Sequence, residues 1–394
     1  MPIINRIADF ASEMTEWRQD FHAHPELGFE EHRTSDIVAA KLQSWGIEVH
    51  RGLATTGLVG VLKNGTSSRS IGLRADMDCL PMQEQTGLPH ASTIPGKMHA
   101  CGHDGHTATL LGAAKYLAET RNFDGTVHFI FQPAEEGGGG GNVMVQEGLF
   151  ERFPCDAVYG IHNDPTLPLG EAKVVPGVIL AASDRVYITI RGIGGHAARP
   201  HVAVDPVLVG AHVLVALQAL VARRTDPLDS AVLSITQFHA GSADNVIPDA
   251  AKLSGTVRTL LPETRDMMER LIAQVAESTA AAHEAVAEVV YNRLYPPTVN
   301  HEAETARAAL AAARVLGESR VIRDAPPIMG GEDFSFMLLK RPGAFVMMGQ
   351  RGGSQGPEKG GVPVHHPAYD FNDDMLPVGA SFFATLVEQE LTRG

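Results

Sequence analysis

The chain has 394 residues, long enough for two domains. Its 44% hydrophobic content is that of an ordinary globular protein with a sizeable core. A formal charge of -14 argues against nucleic acid or an anionic membrane as partner, because no basic stripe offers to neutralise phosphate.

In chain order, residues 1–21 carry charges throughout and lack an apolar h-region, so they read as an amphipathic helix and not a signal peptide. No stretch reads as apolar for long enough to span a membrane. Residues 35–45 and 107–119 repeat apolar positions at helical steps. Between the helical patterns, "SIGLRAD", "GTVHFIFQPAEE", "DAVYGIHND" and "GAFVMMGQ" read as buried strands closed by polar or Gly/Pro punctuation. This rhythm predicts an α/β fold with a mixed, mostly parallel sheet flanked by helices.

The pattern changes near residue 183. "DRVYITIRGIGGHAARP", "SAVLSITQFHAG" and "AAKLSGTVRTLLP" alternate like half-buried strands, and "AEVVYNRLYPP" adds a fourth. Helical patterns at 206–223 and 263–287 intervene. The reading is an inserted four-stranded α+β domain, 184–295, interrupting a larger one formed by 1–183 and 296–394. The apolar run in 206–223 covers more than one helix face and reads as core or dimer contact.

The polar residues at strand ends carry the chemistry. Asp76 and Asp78 follow one strand, Glu135 and Glu136 another; His162 closes a third, and His365 and His366 lie beyond the last. In α/β sheets ligands gather beyond the carboxyl ends of strands. Cys101 and His103 join them from "HACGHDGHTATLLGAA", in the loop that opens a helix. A thiolate, imidazoles and carboxylates together suit a transition metal and not magnesium or calcium. Five or more donors exceed the needs of one tetrahedral ion, so two divalent ions (zinc, manganese, cobalt or nickel) are expected, a pairing that serves hydrolysis. Cys79 and Cys155 read as packing residues, His22 and His24 as structural, and His99 and His106 as supports of the site. The glycines before Glu332 and Asp333 read as room for close backbone approach to substrate. With no CxxC pair among three cysteines, a reducing, cytoplasmic compartment fits best.

"RADMDCLP", "MHACGHDGHTATLLGAA", "FQPAEEGGGG", "GIH", "GGHAARPH" and "MGGEDFSF" resemble the amidohydrolases that include hippurate hydrolase and the indole-acetyl-amino-acid hydrolases, a branch of the dimetal aminoacylase and carboxypeptidase superfamily. The resemblance runs from "HAHPELGFEE" to "HHPAYDFND". It implies a catalytic domain interrupted by a lid or dimerisation domain, and metal ligands Cys101, His103, Glu136, His162 and His365. It implies Glu135 as general base, Asp78 as the residue that orients a ligand, and His196 as oxyanion donor, reaching a partner's site in a homodimer or higher homo-oligomer. Asn245 and Arg258 are candidates for holding the oxyanion or the substrate carboxylate, which suits a bidentate guanidinium. Where the wider superfamily has a His-x-Asp ligand motif, Asp76-Met77-Asp78 stands here. The implied activity is cleavage of small N-acyl-L-amino acids, hippurate-like or aryl-acyl conjugates. The competing readings are a deacetylase of N-acetyl-diamino acids, a dipeptidase, and a silent binder of such conjugates.

Overall fold

A computed structural model describes residues 3–354 and 356–393. The chain divides into two compact units: one holds residues up to Gly177, Val299–Pro326 and those from Asp333 on, and the other Val178–Thr298 and Pro327–Glu332.

The larger unit is built on an eight-stranded sheet. Its strands are β1 (Glu48–Leu53), β2 (Gly57–Asn64), β3 (Ser70–Asp76), β4 (Gly125–Gln132), β5 (Ala157–Pro168), β6 (Ala172–Lys173), β7 (Val321–Ile322) and β8 (Gly343–Arg351). They lie in the order β1-β2-β4-β3-β5-β8-β6-β7. The centre, β4-β3-β5-β8, is parallel throughout. β1 and β2 extend one side antiparallel, and β6 pairs antiparallel with β8. The near-continuous apolar runs of β3, β4 and β5 are those of strands covered on both faces. From β3 the chain moves to β4 on one side and then crosses to β5 on the other. The gap between β3 and β5 is therefore a topological switch point, where α/β sheets open a crevice.

Helices α1 (Ala11–Ala23), α2 (His32–Ser44), α3 (His103–Thr120), α4 (Glu302–Leu316) and α5 (Leu376–Glu390) cover the sheet. α3 is buried on nearly every side, which explains its small residues. It begins at His103, four residues earlier than the apolar spacing indicated, so His103 belongs to the helix itself and not to the loop before it. His162 likewise lies within β5, not at its end.

A buried ionic network ties α1 to the C-terminal segment. Arg18 grips Asp373 with two hydrogen bonds of 2.6 and 2.7 Å and donates to Asp370 at 3.0 Å. His90 and Lys359 also donate to Asp370. His22 donates through Nδ1 to Asp104 at 2.8 Å, next to His103. His22 is thus structural, as expected. Burial disfavours its charge, but Asp104 and Glu84 prevail and raise it from 6.5 to about 9.

The smaller unit has its own core. Four antiparallel strands run in the order Ala231–Ala240, Ala250–Thr259, Ala182–Arg191, Val286–Tyr295. Helices Pro206–Arg224 and Pro262–Ala281 pack on one face through Val209, Val213, Leu217, Met268 and Ile272, against Val186, Ile188 and Leu253. The expectation that no segment is long and apolar enough to span a membrane fails at Pro206–Arg224, which is so by length and composition. The reason lies in its two apolar faces. One enters the core, while the other leaves Val207, Leu208 and Val215 exposed, and no charge appears before Arg223.

Two outcomes follow. A Cβ at Gly105 would lie 2.3 Å from the Phe371 ring, so Gly105→Ala should cost about 1–3 kcal/mol in denaturant unfolding. The stability from the raised His22 is complete below pH 6.5 and is lost as pH rises through about 9. Urea midpoints measured across that window should therefore fall more steeply for the unaltered chain than for His22→Gln.

Candidate metal centre

The carboxyl ends of the central parallel strands supply the site. Asp76 is the last residue of β3, and Asp78 follows it across the strand end. Glu135 and Glu136 sit in the turn after β4, and β5 contributes His162. His103 opens α3 after Gly102, whose φ is +105° and where a Cβ would lie 2.4 Å from Asn163 Oδ1; only glycine fits there. His365 stands in a loop with φ +63°, tied by its backbone N–H to the Ala100 carbonyl at 2.7 Å.

These segments converge. The ligand atoms of Cys101, His103 and His162 lie within 4.8 Å of one another, and so do those of Cys101, Glu136 and His365. The two sets share the Cys101 sulfur. A third set, His103, Glu135 and Glu136, joins them. Cys101 Sγ is 3.4 Å from His162 Nε2, and His365 Nε2 is 3.1 Å from Glu136 Oε1. Each inner imidazole is oriented through its other nitrogen. His103 Nδ1 donates to the Asp78 carbonyl at 2.9 Å, and His162 Nδ1 donates to the Asn163 carbonyl at 2.8 Å. Both rings thereby turn Nε2 inward, the arrangement of metal-ligating histidines.

Comparison with known proteins agrees with this geometry. The sequence profile of peptidase family M20/M25/M40 matches residues 72–389. The hippurate hydrolase of Campylobacter jejuni is 41% identical over 389 residues, 98% of each chain. An IAA-amino acid hydrolase of Arabidopsis thaliana, ILR1-like 5, is 40% identical over 388 residues, 97% of this chain and 88% of its own. A solved dinuclear metal-binding peptidase of the M20 family from Bacillus subtilis superposes with a TM-score of 0.83 at 36% identity, covering 98% of this chain and 99% of that one. The chain belongs to peptidase family M20/M25/M40. It is a metal-dependent amidohydrolase, and divalent ions are its cofactors.

The residues of this M20 chain fit such ions. His103 Nε2 is buried without a hydrogen-bond partner, an expensive state that a cation relieves. Burial and the nearby Glu136 push the Cys101 thiol up, so its thiolate needs a positive charge beside it. Burial, with His106 close by, lowers His162 to about 3 and keeps it in the neutral form that coordinates. Asp78 serves the centre twice: besides its carbonyl bond to His103, its Oδ2 accepts the Glu136 backbone N–H at 2.9 Å.

Further residues support the centre, and of these Arg74, Asn163, Tyr369 and Glu31 were not singled out from sequence. Asp76 is held by Arg74 at 2.7 Å and by His106 Nδ1 at 2.6 Å; against the upward push of burial, Arg74, His103 and His106 keep it well below the usual carboxylate range. His106 Nε2 lies 2.8 Å from Asn163 Oδ1, and the Asn163 amide donates to the Tyr369 hydroxyl at 2.8 Å. Asn163 follows His162 directly in "GIHND", the one signal that could have marked it. Glu31, in "ELGFEE", accepts the Ala134 N–H at 2.9 Å and so holds the residue before Glu135 at φ +55°. Burial raises Glu31 to about 7. Asp333 is an anchor within the fold: it accepts from Arg74, Gln132 and the Gly141 N–H at 2.7–3.1 Å. His99 is buried with neither ring nitrogen bonded.

The other three candidates belong to the smaller unit. His196 lies on a two-residue strand paired with Val246–Ile247, and the Asn245 carbonyl accepts the Ala197 N–H at 3.1 Å, so these two are neighbours. Both are exposed. Arg258 lies on the four-stranded sheet, away from them in register, hydrogen-bonded to the Ser183 hydroxyl.

Removing the Asp78 carboxylate should loosen the centre without deleting any donor to it. Asp78→Ala is expected to weaken metal affinity about 10–100-fold in chelator competition.

Proposed function

We propose that this M20 enzyme hydrolyses the amide bond of N-acyl-L-amino acids, with hippurate-like and aryl-acyl conjugates foremost, to a carboxylic acid and a free amino acid. The convergence of Cys101, His103, Glu136, His162 and His365 on a buried carboxylate, Glu135, carries this reading. Full-length likeness to a hippurate hydrolase and an IAA-amino acid hydrolase supports the substrate class.

Those five residues would hold two cations, with Cys101 common to both donor sets. A sulfur donor among imidazoles favours zinc, manganese, cobalt or nickel over magnesium and calcium. Bound there, the ions would polarise the amide carbonyl and acidify a water. Glu135, beside His103 and Glu136, accepts the water's proton and returns it to the nitrogen of the departing amine. Asp78 keeps His103 and Glu136 in register for this. His196 is assigned as the oxyanion donor. Its Nδ1 accepts the Ala198 N–H at 3.1 Å, which leaves the proton on Nε2, free to donate outward. Asn245, next to it, is assigned the same face of the substrate, and Arg258 the free carboxylate.

The active form is assigned as a homodimer in which His196 serves the partner's centre. The exposed apolar side chains Val207, Leu208 and Val215, and the open edge strand Ala231–Ala240, support pairing of two copies. Three free cysteines suit a reducing cytoplasm.

Glu135→Gln should lower kcat on benzoyl-glycine by about 10²–10⁴-fold while elemental analysis shows unchanged metal content. Retained turnover would remove Glu135 from its role. A panel of benzoyl-glycine, acetylated amino acids and dipeptides would fix the acyl preference.

A further inference from the structure

The turn that carries Glu135 and Glu136 is gripped from outside by two carboxylates. Glu31 Oε1 accepts the Ala134 N–H at 2.9 Å, and Asp78 Oδ2 accepts the Glu136 N–H at 2.9 Å. The residue between those two amides is Glu135. Glu31 is held in turn, because its Oε2 accepts the Thr56 hydroxyl at 2.5 Å. All of these groups belong to the larger unit.

Ala134 is the pivot of the turn. Its φ is +55°, in the left-handed region that L-residues avoid and glycine enters freely. The methyl group must therefore serve a purpose, and its surroundings show which. A Cβ at Gly28 would lie 2.9 Å from the Ala134 methyl, and a Cβ at Gly138 would lie 2.7 Å from it. The methyl lodges in a slot that two glycines leave open. The Ala134 carbonyl accepts the Gly140 N–H at 3.1 Å. Amide, methyl and carbonyl of one residue are each engaged, and "ELGFEE" and "PAEEGGGG" interlock through it.

The two carboxylates do different work. Asp78 acts on Glu136, a candidate ligand, and its backbone carbonyl also accepts His103 Nδ1–H at 2.9 Å. Glu31 acts one residue before the candidate base. A shift of the Ala134 peptide would swing Glu135, and a displacement of about 1 Å at a reacting group is costly.

We propose that Glu31 is a positioning residue for catalysis: through the Ala134 amide it fixes where the Glu135 carboxylate stands, and it does so by the reach of its oxygen and not by its charge. The consequence for turnover rests on the hydrolase reading, in which Glu135 is the base; the grip on the turn stands without it.

Three substitutions separate reach from charge. Glu31→Gln keeps an acceptor oxygen at the same reach and is neutral. Glu31→Asp keeps the charge and is one methylene short. Glu31→Leu removes the acceptor. On full-length, metal-loaded enzyme with benzoyl-glycine, Glu31→Gln should keep kcat within about threefold, while Glu31→Asp and Glu31→Leu should lose about 10–100-fold in kcat with KM within about twofold. Metal content should be unchanged in all three. Hydrogen exchange reads the turn without turnover: residues 133–141 should exchange about tenfold faster in Glu31→Asp and Glu31→Leu than in Glu31→Gln or the unaltered chain. Should Glu31→Leu not fold, Glu31→Asp carries the comparison by itself. Activity retained in Glu31→Gln and lost in Glu31→Asp, with exchange in step, upholds the proposal. Full kcat in Glu31→Asp, equal losses in Glu31→Gln and Glu31→Asp, or metal lost together with kcat overturns it. Exchange unchanged in Glu31→Asp, with Glu135→Gln inactive, would uphold the hydrolase and overturn the grip. Exchange that depends on Glu31, with Glu135→Gln fully active, would uphold the grip and sink Glu135 as the base.

Discussion

A thiol, three imidazoles and two carboxylates gathered in one largely buried crevice cannot all reach their preferred protonation states through one another. Burial holds Cys101 toward the thiol and His162 toward the neutral ring, while hydrogen bonds to Cys101 and Glu136 raise His365 to about 10. Positive charge of another kind is required, and divalent cations meet that requirement where a protonated side chain cannot. Much of the larger unit serves this electrostatic demand. The parallel strands aim their carboxyl ends at the crevice, and the Arg18 network secures the segment that carries His365.

The support is layered in a way that explains why the donors are precise. No inner histidine is oriented by a ligand alone. His103 is set by the backbone of Asp78, His162 by its neighbouring carbonyl, and Glu136 by the Asp78 carboxylate. Behind them Asp76 is locked between Arg74 and His106. Such buried charge pairs cost desolvation and contribute little net stability. Their value here lies in fixing positions, since a displacement of about 1 Å at a catalytic centre is costly.

What was legible in the sequence follows from how local each signal is. The candidate donors stand near strand ends or in the compact Cys-Gly-His-Asp-Gly-His block, so adjacency marks a set that includes Cys101, His103, Glu135, Glu136 and His162, and the family resemblance chose among them. The helix at 103 was set late because its first turn is Gly- and His-rich, and apolar spacing appears only after Thr107. Asn163, Tyr369 and Glu31 were not marked because their roles come from contacts across 57, 103 and 206 residues, which no spacing rule records. The helix Pro206–Arg224 was read as core or dimer contact and not as long and apolar enough to span a membrane, which by length and composition it is, because periodicity shows which positions are apolar and not how long the uncharged run is.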